Sequence, residues 1–120
     1  MNRTMTPDKL RELDAWIETN LFGGVANRCN FEEGRKIVGC TYYKSDGSEV
    51  PHYSSRADAA MDVLKECHEY TSIIFGFHES PTGNSYYAGG IINPDAVNIF
   101  ESAETLELAI CLFAKRFFSK

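Results

Sequence analysis

The stretch Val50–Tyr70, VPHYSSRADAAMDVLKECHEY, decides the fold of this chain. Pro51 biases the residue before it towards extended geometry. Ser54 or Ser55 can cap a following helix, because a serine hydroxyl accepts a hydrogen bond from a free amide of the first turn. With Ser55 as the cap, Asp58 stands at the third helical position and completes a capping box. The stretch therefore predicts a short extended segment followed by a capped helix.

The helix predicted in this stretch is amphipathic, and it is the centre around which the other elements are arranged. Its apolar residues fall on one broad face, and most of its charged residues lie off that face. The apolar face consists of Ala60, Met61, Val63, Leu64 and Cys67.

Before the central helix, the pattern predicts a helix over residues 7–21 and a strand over residues 37–43. Large apolar residues at spacings of three and four form the stripe of the helix, and two glycines end it. Segment 25–36 has no period and predicts a surface loop or a short extended piece, with Gly34 at a turn. Residues 49–53 are expected to return as a second strand after an Asp-Gly turn.

After the central helix, residues 71–78 are rich in apolar strand-forming residues and predict a buried strand. Residues 85–92 predict the returning strand of a hairpin, and residues 96–100 a further short strand. The last helix is expected over residues 103–118, with Ser102 as its cap. Its apolar residues lie on nearly every side. Either it is sandwiched within the chain or its outer face meets another subunit, and we favour a homo-oligomer.

The order α-β-β-α-β-β-(β)-α predicts an α+β domain, an antiparallel β-sheet with helices packed on it. A single domain over residues 1–120, with a flexible start at residues 1–5, is expected from the length. Lys plus Arg number 12 and Asp plus Glu 17, so the net charge of −5 disfavours binding to duplex nucleic acid. Four scattered cysteines, no signal peptide and no membrane-length apolar run predict a cytoplasmic protein.

Two groups of residues are candidates for a ligand site. The start of the central helix combines a helix dipole, hydroxyls and a cation, which suits an anion or a nucleotide. Exposed tyrosines can stack a nucleobase, and arginines can grip a phosphate. The alternatives are a simple helix cap and ordinary sheet aromatics. The candidate ligand-binding residues are Arg28, His52, Tyr53, Ser54, Ser55, Arg56, Tyr86, Tyr87, Asn93 and Arg116.

Catalytic and metal-binding motifs are missing from the sequence. There is no nucleophile elbow, P-loop, zinc-protease or deaminase signature. The three histidines and the cysteines lack the spacing of a helical zinc site. We therefore expect no enzyme activity, no metal and no cofactor.

Three stretches resemble the phage ABA sandwich domain family, small proteins of bacteriophage and prophage origin. They are KLRELDAWIETNLFG at 9–23, VPHYSSRADAAMDVL at 50–64 and SAETLELAICLFA at 102–114. The chain departs from the family at Gly24, where a tryptophan is usual, and in segment 25–36. The resemblance implies a layered fold and a viral source, and it carries over no site. A more distant similarity is to phage sponge proteins that counter Thoeris defence by holding cyclic ADP-ribose derivatives.

These observations lead to one functional hypothesis and one alternative. The first is a non-enzymatic phage or prophage protein of the host bacterial cytoplasm, which sequesters a small nucleotide-derived immune signal of the cyclic nucleotide or cyclic ADP-ribose type. The alternative is a protein–protein interaction module, such as an inhibitor of a host enzyme or an accessory factor in phage replication or assembly.

Overall fold

The computed structural model describes residues 5–81, 83–92 and 97–119, which form three helices and five strands. The predicted α+β class and the predicted order of elements are confirmed. The elements are α1 (Pro7–Asn20), β1 (Asn27–Glu33), β2 (Lys36–Tyr43), α2 (Ala57–His68), β3 (Ile73–Ser80), β4 (Gly83–Ile92), β5 (Val97–Ala103) and α3 (Leu106–Phe118).

The strands form two separate antiparallel sheets. One is the hairpin β1–β2, whose turn contains Gly34 at a φ of +67°, a conformation that glycine adopts without steric penalty. A register shift between Phe31 and Glu32 interrupts its pairing. The other sheet has the order β3–β4–β5, so that β4 is central and β3 and β5 are its edges.

Helix α3 lies at the centre of the core. Every residue from Leu108 to Ala114 is buried, a run of two turns that leaves no face open to solvent. One side packs on β4 and β5, where the ring of Phe113 reaches Gly90, and the other side contacts α1 and α2. Of the two alternatives for this apolar helix, the sandwiched one is therefore correct. The apolar surface of α3 no longer supports a homo-oligomer, which stays a prediction.

A buried ion pair joins α1 to the segment before α2. The Arg11 guanidinium donates to Asp14 Oδ2 at 2.6 Å, to Thr41 Oγ1 at 3.0 and 3.2 Å, and to the Val50 carbonyl at 2.8 Å. Asp14 Oδ1 accepts the backbone N–H of Ser54 at 2.8 Å. Both charges are almost fully buried, and each is held by several hydrogen bonds, as burial of an ion requires.

Segment 25–36 contains the strand 27–33, which pairs with β2, and a turn at Gly34, so that its extended alternative holds and the loop does not. Two other sequence-based expectations before and at α2 were wrong. Residues 49–53 are not a strand: Glu49 forms one bridge with Tyr43, and the chain then bends so that its carbonyls reach Arg11. Neither serine caps α2, and no capping box forms. The N-cap is Arg56, which makes no side-chain capping bond.

The end of the chain differs from expectation in two places. Helix α3 begins at Leu106, capped by Thr105, whose hydroxyl accepts the Leu108 amide at 3.2 Å. The predicted cap Ser102 lies in β5, which extends to Ala103 because that residue pairs with Tyr86. The strand expected to be buried, now β3, is an exposed sheet edge.

Replacing Asp14 by alanine should lower the free energy of unfolding by about 3–5 kcal/mol, since it leaves the Arg11 charge buried without its partner. The neighbouring Glu12→Ala removes two exposed pairs, with Lys9 and with Arg28, and should change the free energy of unfolding by less than about 1 kcal/mol. Urea unfolding followed by circular dichroism measures both. Equal effects of the two variants would contradict the role of the buried pair.

Candidate functional site

The segment connecting β2 to α2 separates two clefts. On one side lies the His52 cleft, about 250 Å³, whose walls include Leu10, Arg11, Phe31, Glu49, His52 and Ser55. On the other side lies the Tyr53 cleft, about 450 Å³, whose walls include Glu18, Phe22, Tyr53, Asp62, Lys65 and Glu69. The buried contacts of Val50 and Ser54 with α1 hold the segment in place between them.

The His52 cleft combines an aromatic ring with a polar wall. Phe31 from β1 contributes a ring that is 47% exposed. His52 Nε2 lies 3.4 Å from Glu49 Oε1, and the hydroxyl of exposed Ser55 lies beside the start of α2. Arg11 forms the inner wall, but its guanidinium is occupied by the contacts that hold the fold. A ring for stacking, a carboxylate acceptor and an imidazole together suit a small polar aromatic ligand.

Electrostatics keeps the Glu49 carboxylate charged. The Thr41 hydroxyl donates to Glu49 Oε2 at 2.6 Å, and this bond, with lesser help from His52 and Arg11, lowers the pKa of Glu49 despite some burial. The cleft therefore presents an anionic acceptor at neutral pH. The Cys40 thiol at its wall lies 3.9 Å from Asp8 Oδ1, to which it donates a hydrogen bond. Cys40 and His52 thus form no hydrogen-bonded nucleophile–base pair.

The predicted anion site at the start of α2 is assembled differently from the expectation. Ser54 is buried and is used by α1, since its hydroxyl donates to the Leu10 carbonyl at 3.2 Å. The backbone amides of Ser55 and Arg56 both donate to the His52 carbonyl. The exposed Arg56 side chain donates to Asp58 Oδ1 at 3.1 Å, which lowers the pKa of Asp58. The positive end of α2 thus already faces a carboxylate of its own chain.

Tyr53 faces the other cleft, away from His52. Its hydroxyl donates to Glu18 Oε1 at 2.8 Å, and its ring stacks on Phe22 at 5.4 Å between centroids. Four carboxylates and two lysines line this cleft. Such a surplus of negative charge opposes the binding of a phosphate.

The other predicted ligand residues lie in different parts of the molecule. Arg28 lies on β1, 3.7 Å from Glu12. Tyr86 packs on Phe77 on the helix-covered face of the three-stranded sheet, and Tyr87 covers Gly76 on the opposite face. Arg116 pairs with Glu101 at 2.9 Å. Asn93 lies outside the described residues. Of the nine candidates that the structure describes, only His52 and Ser55 line the same cleft.

Sequence reasoning missed Phe31, Glu49 and Arg11 as walls of the His52 cleft. Phe31 lies in segment 25–36, for which a surface loop or a short extended piece is expected, and Glu49 lies in a predicted strand. For Arg11 the sequence does contain a signal. Arg11, Asp14 and Glu18 each directly follow one of the apolar residues 10, 13 and 17, so they have the same helical spacing as the apolar stripe. All three are buried. Charged residues in such a register indicate a polar network inside the fold.

A metal site and a membrane-spanning helix are both missing from the part of the chain that the structure describes. There, no group of three or more His, Cys, Asp or Glu side chains is placed to hold a metal ion. None of the helices there has the length and apolar character needed to cross a bilayer.

Comparison with solved structures finds a similar fold. The chain is similar to a crystal structure described as a phage protein from Bacillus cereus ATCC 14579, with a TM-score of 0.63 and 19% sequence identity. The alignment covers 98% of this chain and 91% of the other. What the two proteins share is the fold. No protein-family model and no curated protein matches the chain, so the resemblance to the ABA sandwich family stays an expectation.

Replacing Tyr53 by phenylalanine should lower the free energy of unfolding at neutral pH by about 1.5–3 kcal/mol, because the buried Glu18 loses its donor. Burial and the Glu18 carboxylate raise the pKa of Tyr53 above its usual value of 10. The hydrogen bond from the protonated Tyr53 to Glu18 therefore contributes fully to the free energy of unfolding below about pH 10. Its contribution is lost progressively above that pH.

Urea unfolding between neutral and strongly alkaline pH tests this. The wild type should lose stability above about pH 10 more steeply than the Tyr53→Phe variant. Tyr70→Phe, which removes the hydroxyl of an exposed ring, is the matched control and should behave as the wild type. Parallel alkaline profiles for wild type and Tyr53→Phe would refute the assignment.

Proposed function

We propose that this protein is a non-enzymatic binding protein of phage or prophage origin that sequesters a small nucleotide-derived immune signal, of the cyclic nucleotide or cyclic ADP-ribose type, in the host cytoplasm. The observation that carries the proposal is the His52 cleft. Its ring comes from β1, and its carboxylate, imidazole and hydroxyl come from the segment that connects β2 to α2.

The chemistry of the cleft supports a nucleotide. A base stacks on the exposed ring of Phe31, an interaction worth about 1–3 kcal/mol. The charged Glu49 accepts hydrogen bonds from an exocyclic amine or a ribose hydroxyl. A phosphate of the ligand lies towards Ser55 and the exposed Arg56 guanidinium, where it replaces the Asp58 carboxylate as the partner of Arg56.

Two observations favour a phage source and binding without catalysis. The fold is shared with a phage protein, and three stretches of the sequence resemble the phage ABA sandwich family. At the cleft, the potential nucleophile Cys40 is directed to Asp8. A protein that holds its ligand intact needs only affinity, and stacking on Phe31 supplies part of it.

Phe31→Ala should weaken nucleotide binding by about tenfold to a hundredfold, because it removes the stacking ring. Purified protein is titrated calorimetrically with cyclic nucleotides and ADP-ribose cyclisation products, then heated to recover the ligand for mass spectrometry. Val38→Ala, on the same hairpin but away from the cleft, is the control. Arg56→Ala should also weaken binding if the phosphate lies at α2, with the fold intact because Arg56 is exposed.

The results separate the possible outcomes. Failure to retain any of these ligands overturns the proposal, and recovery of an altered nucleotide points to an enzyme. Equal affinity of the wild type and Phe31→Ala would exclude the His52 cleft even if a nucleotide binds elsewhere.

The outer half of the β1–β2 hairpin favours the second candidate, a protein–protein interaction module. Neighbouring Ile37 and Val38 lie at the β-bulge of the hairpin, and they are 56% and 57% exposed. The hairpin therefore leaves two adjacent large apolar side chains open to solvent there, a feature that usually indicates an interaction surface.

Ile37→Asp should abolish capture of a host protein on immobilised protein, since a charge at an apolar contact must be desolvated. The pull-down uses host lysate stripped of nucleic acid and nucleotides, with identification by mass spectrometry. Met61→Asp, an equally apolar exposed site on α2, should leave capture unchanged. Identical captured proteins with and without Ile37→Asp would exclude the hairpin as the contact.

A further inference from the structure

Strand β3 presents an apolar edge with which no other strand of the described chain pairs. It pairs with β4 on one side, and its other side takes part in no strand pairing among the described residues. Phe75 and Phe77 are 48% and 50% exposed although both lie on the face of the sheet that α3 covers. The reason is that α3 packs mainly on β4 and β5, so that β3 overhangs.

An apolar groove runs beside this edge. Leu64 of α2 and Ile73 and Phe75 of β3 form its floor, and Lys65 and His68 form its rim. The groove has a volume of about 290 Å³. It is thus a slot for an apolar side chain, with basic groups at one end.

The edge of β3 lacks the features by which sheet edges usually prevent pairing. Such edges carry lysine, proline or a bulge. Strand β3 has no lysine and no proline, and its register with β4 runs without a shift from Ile73 to Ser80. The β1–β2 hairpin, in contrast, has both a bulge and several charges. A straight apolar edge favours the addition of another strand.

We propose that a second copy of this chain occupies the edge, with β3 paired antiparallel to the partner's β3 about a two-fold axis at Phe75. The two three-stranded sheets then join into one continuous sheet, and each copy presents the same surface to the other, as a two-fold dimer requires. This inference does not depend on the proposed ligand.

Pairing about Phe75 is complementary in both shape and charge. Residues directly opposite in such a pair have numbers that add to 150, so Ile73 faces the partner's Phe77. The partner's Glu79 then lies beyond the start of β3, level with Thr71 in the turn after α2. Opposite residues point to the same face of the sheet.

The partner's Phe77 therefore enters the groove, and the partner's Glu79 reaches the rim formed by Lys65 and His68. The two copies of Glu79 lie at opposite ends of the interface and do not repel each other.

The size of the interface sets the expected strength. A fully buried aromatic side chain removes about 150–250 Å² from water, and Phe75 and Phe77 are each about half exposed. With the neighbouring isoleucines, the groove wall and the strand backbone, roughly 500 Å² per copy is buried, against about 800 Å² for a standard interface. The dimer is therefore expected to dissociate in the micromolar range, at concentrations where sedimentation measures it.

Analytical ultracentrifugation of the full chain over a concentration series tests the pairing. The wild type should show a monomer–dimer equilibrium, and Phe77→Lys should weaken it at least tenfold. Val38→Lys, which places the same charge on an equally exposed apolar position of the other sheet, should leave it unchanged. A wild type that stays monomeric throughout, or a dimer weakened only by Val38→Lys, overturns the proposal.

A charge exchange tests the register without altering the core. Glu79→Lys alone and Lys65→Glu alone should each weaken the dimer several-fold, because each replaces an attractive contact between the copies with a repulsive one. The double variant restores attraction and should recover most of the wild-type affinity. Lack of recovery in the double variant overturns the pairing about Phe75, and capture of an unrelated protein at β3 in place of a second copy overturns the choice of partner.

Discussion

The buried pair of Arg11 and Asp14 is the interaction on which the rest of the structure depends. It lies on α1 but ties down two other parts of the chain, through Thr41 of β2 and through the backbone at Val50 and Ser54. Burying these charges is unfavourable unless each is fully paired and hydrogen bonded. The satisfied pair therefore permits one arrangement of α1, β2 and the segment before α2.

That constraint also shapes the surface. Because residues 50–54 are held against α1, the side chains on either side of the segment turn into different clefts, His52 into one and Tyr53 into the other. The acidic cleft around Tyr53 opposes anions, whereas the His52 cleft combines an aromatic ring with a defined hydrogen-bonding wall. A rigid connection thus gives the protein two chemically distinct concave surfaces from five consecutive residues.

The elements were more predictable from the sequence than the site was. Helix α1, strand β2 and the body of α2 follow from periodicity, and α3 follows from its continuous apolar character. The candidate site residues were chosen by type and by neighbourhood in sequence. Arg28, Tyr86, Tyr87 and Arg116 lie in other parts of the molecule than segment 52–56, and within that segment His52 and Tyr53 face different clefts. Phe31 could not be assigned to a cleft because β1 has no alternating pattern: it is exposed along its length and is a strand through its pairing with β2.

The sequence by itself determined the α+β class, the three helices and the central position of the helix at residues 57–68, because local periodicity and turn residues act over short distances. The tertiary structure alone decided three things: that the strands split into two sheets, that α3 is enclosed within the chain, and that β3 overhangs as an open edge. Each depends on contacts between residues remote in sequence, such as Arg11 with Val50 and Phe113 with Gly90. No local pattern encodes such contacts, since they arise from how complete elements pack together.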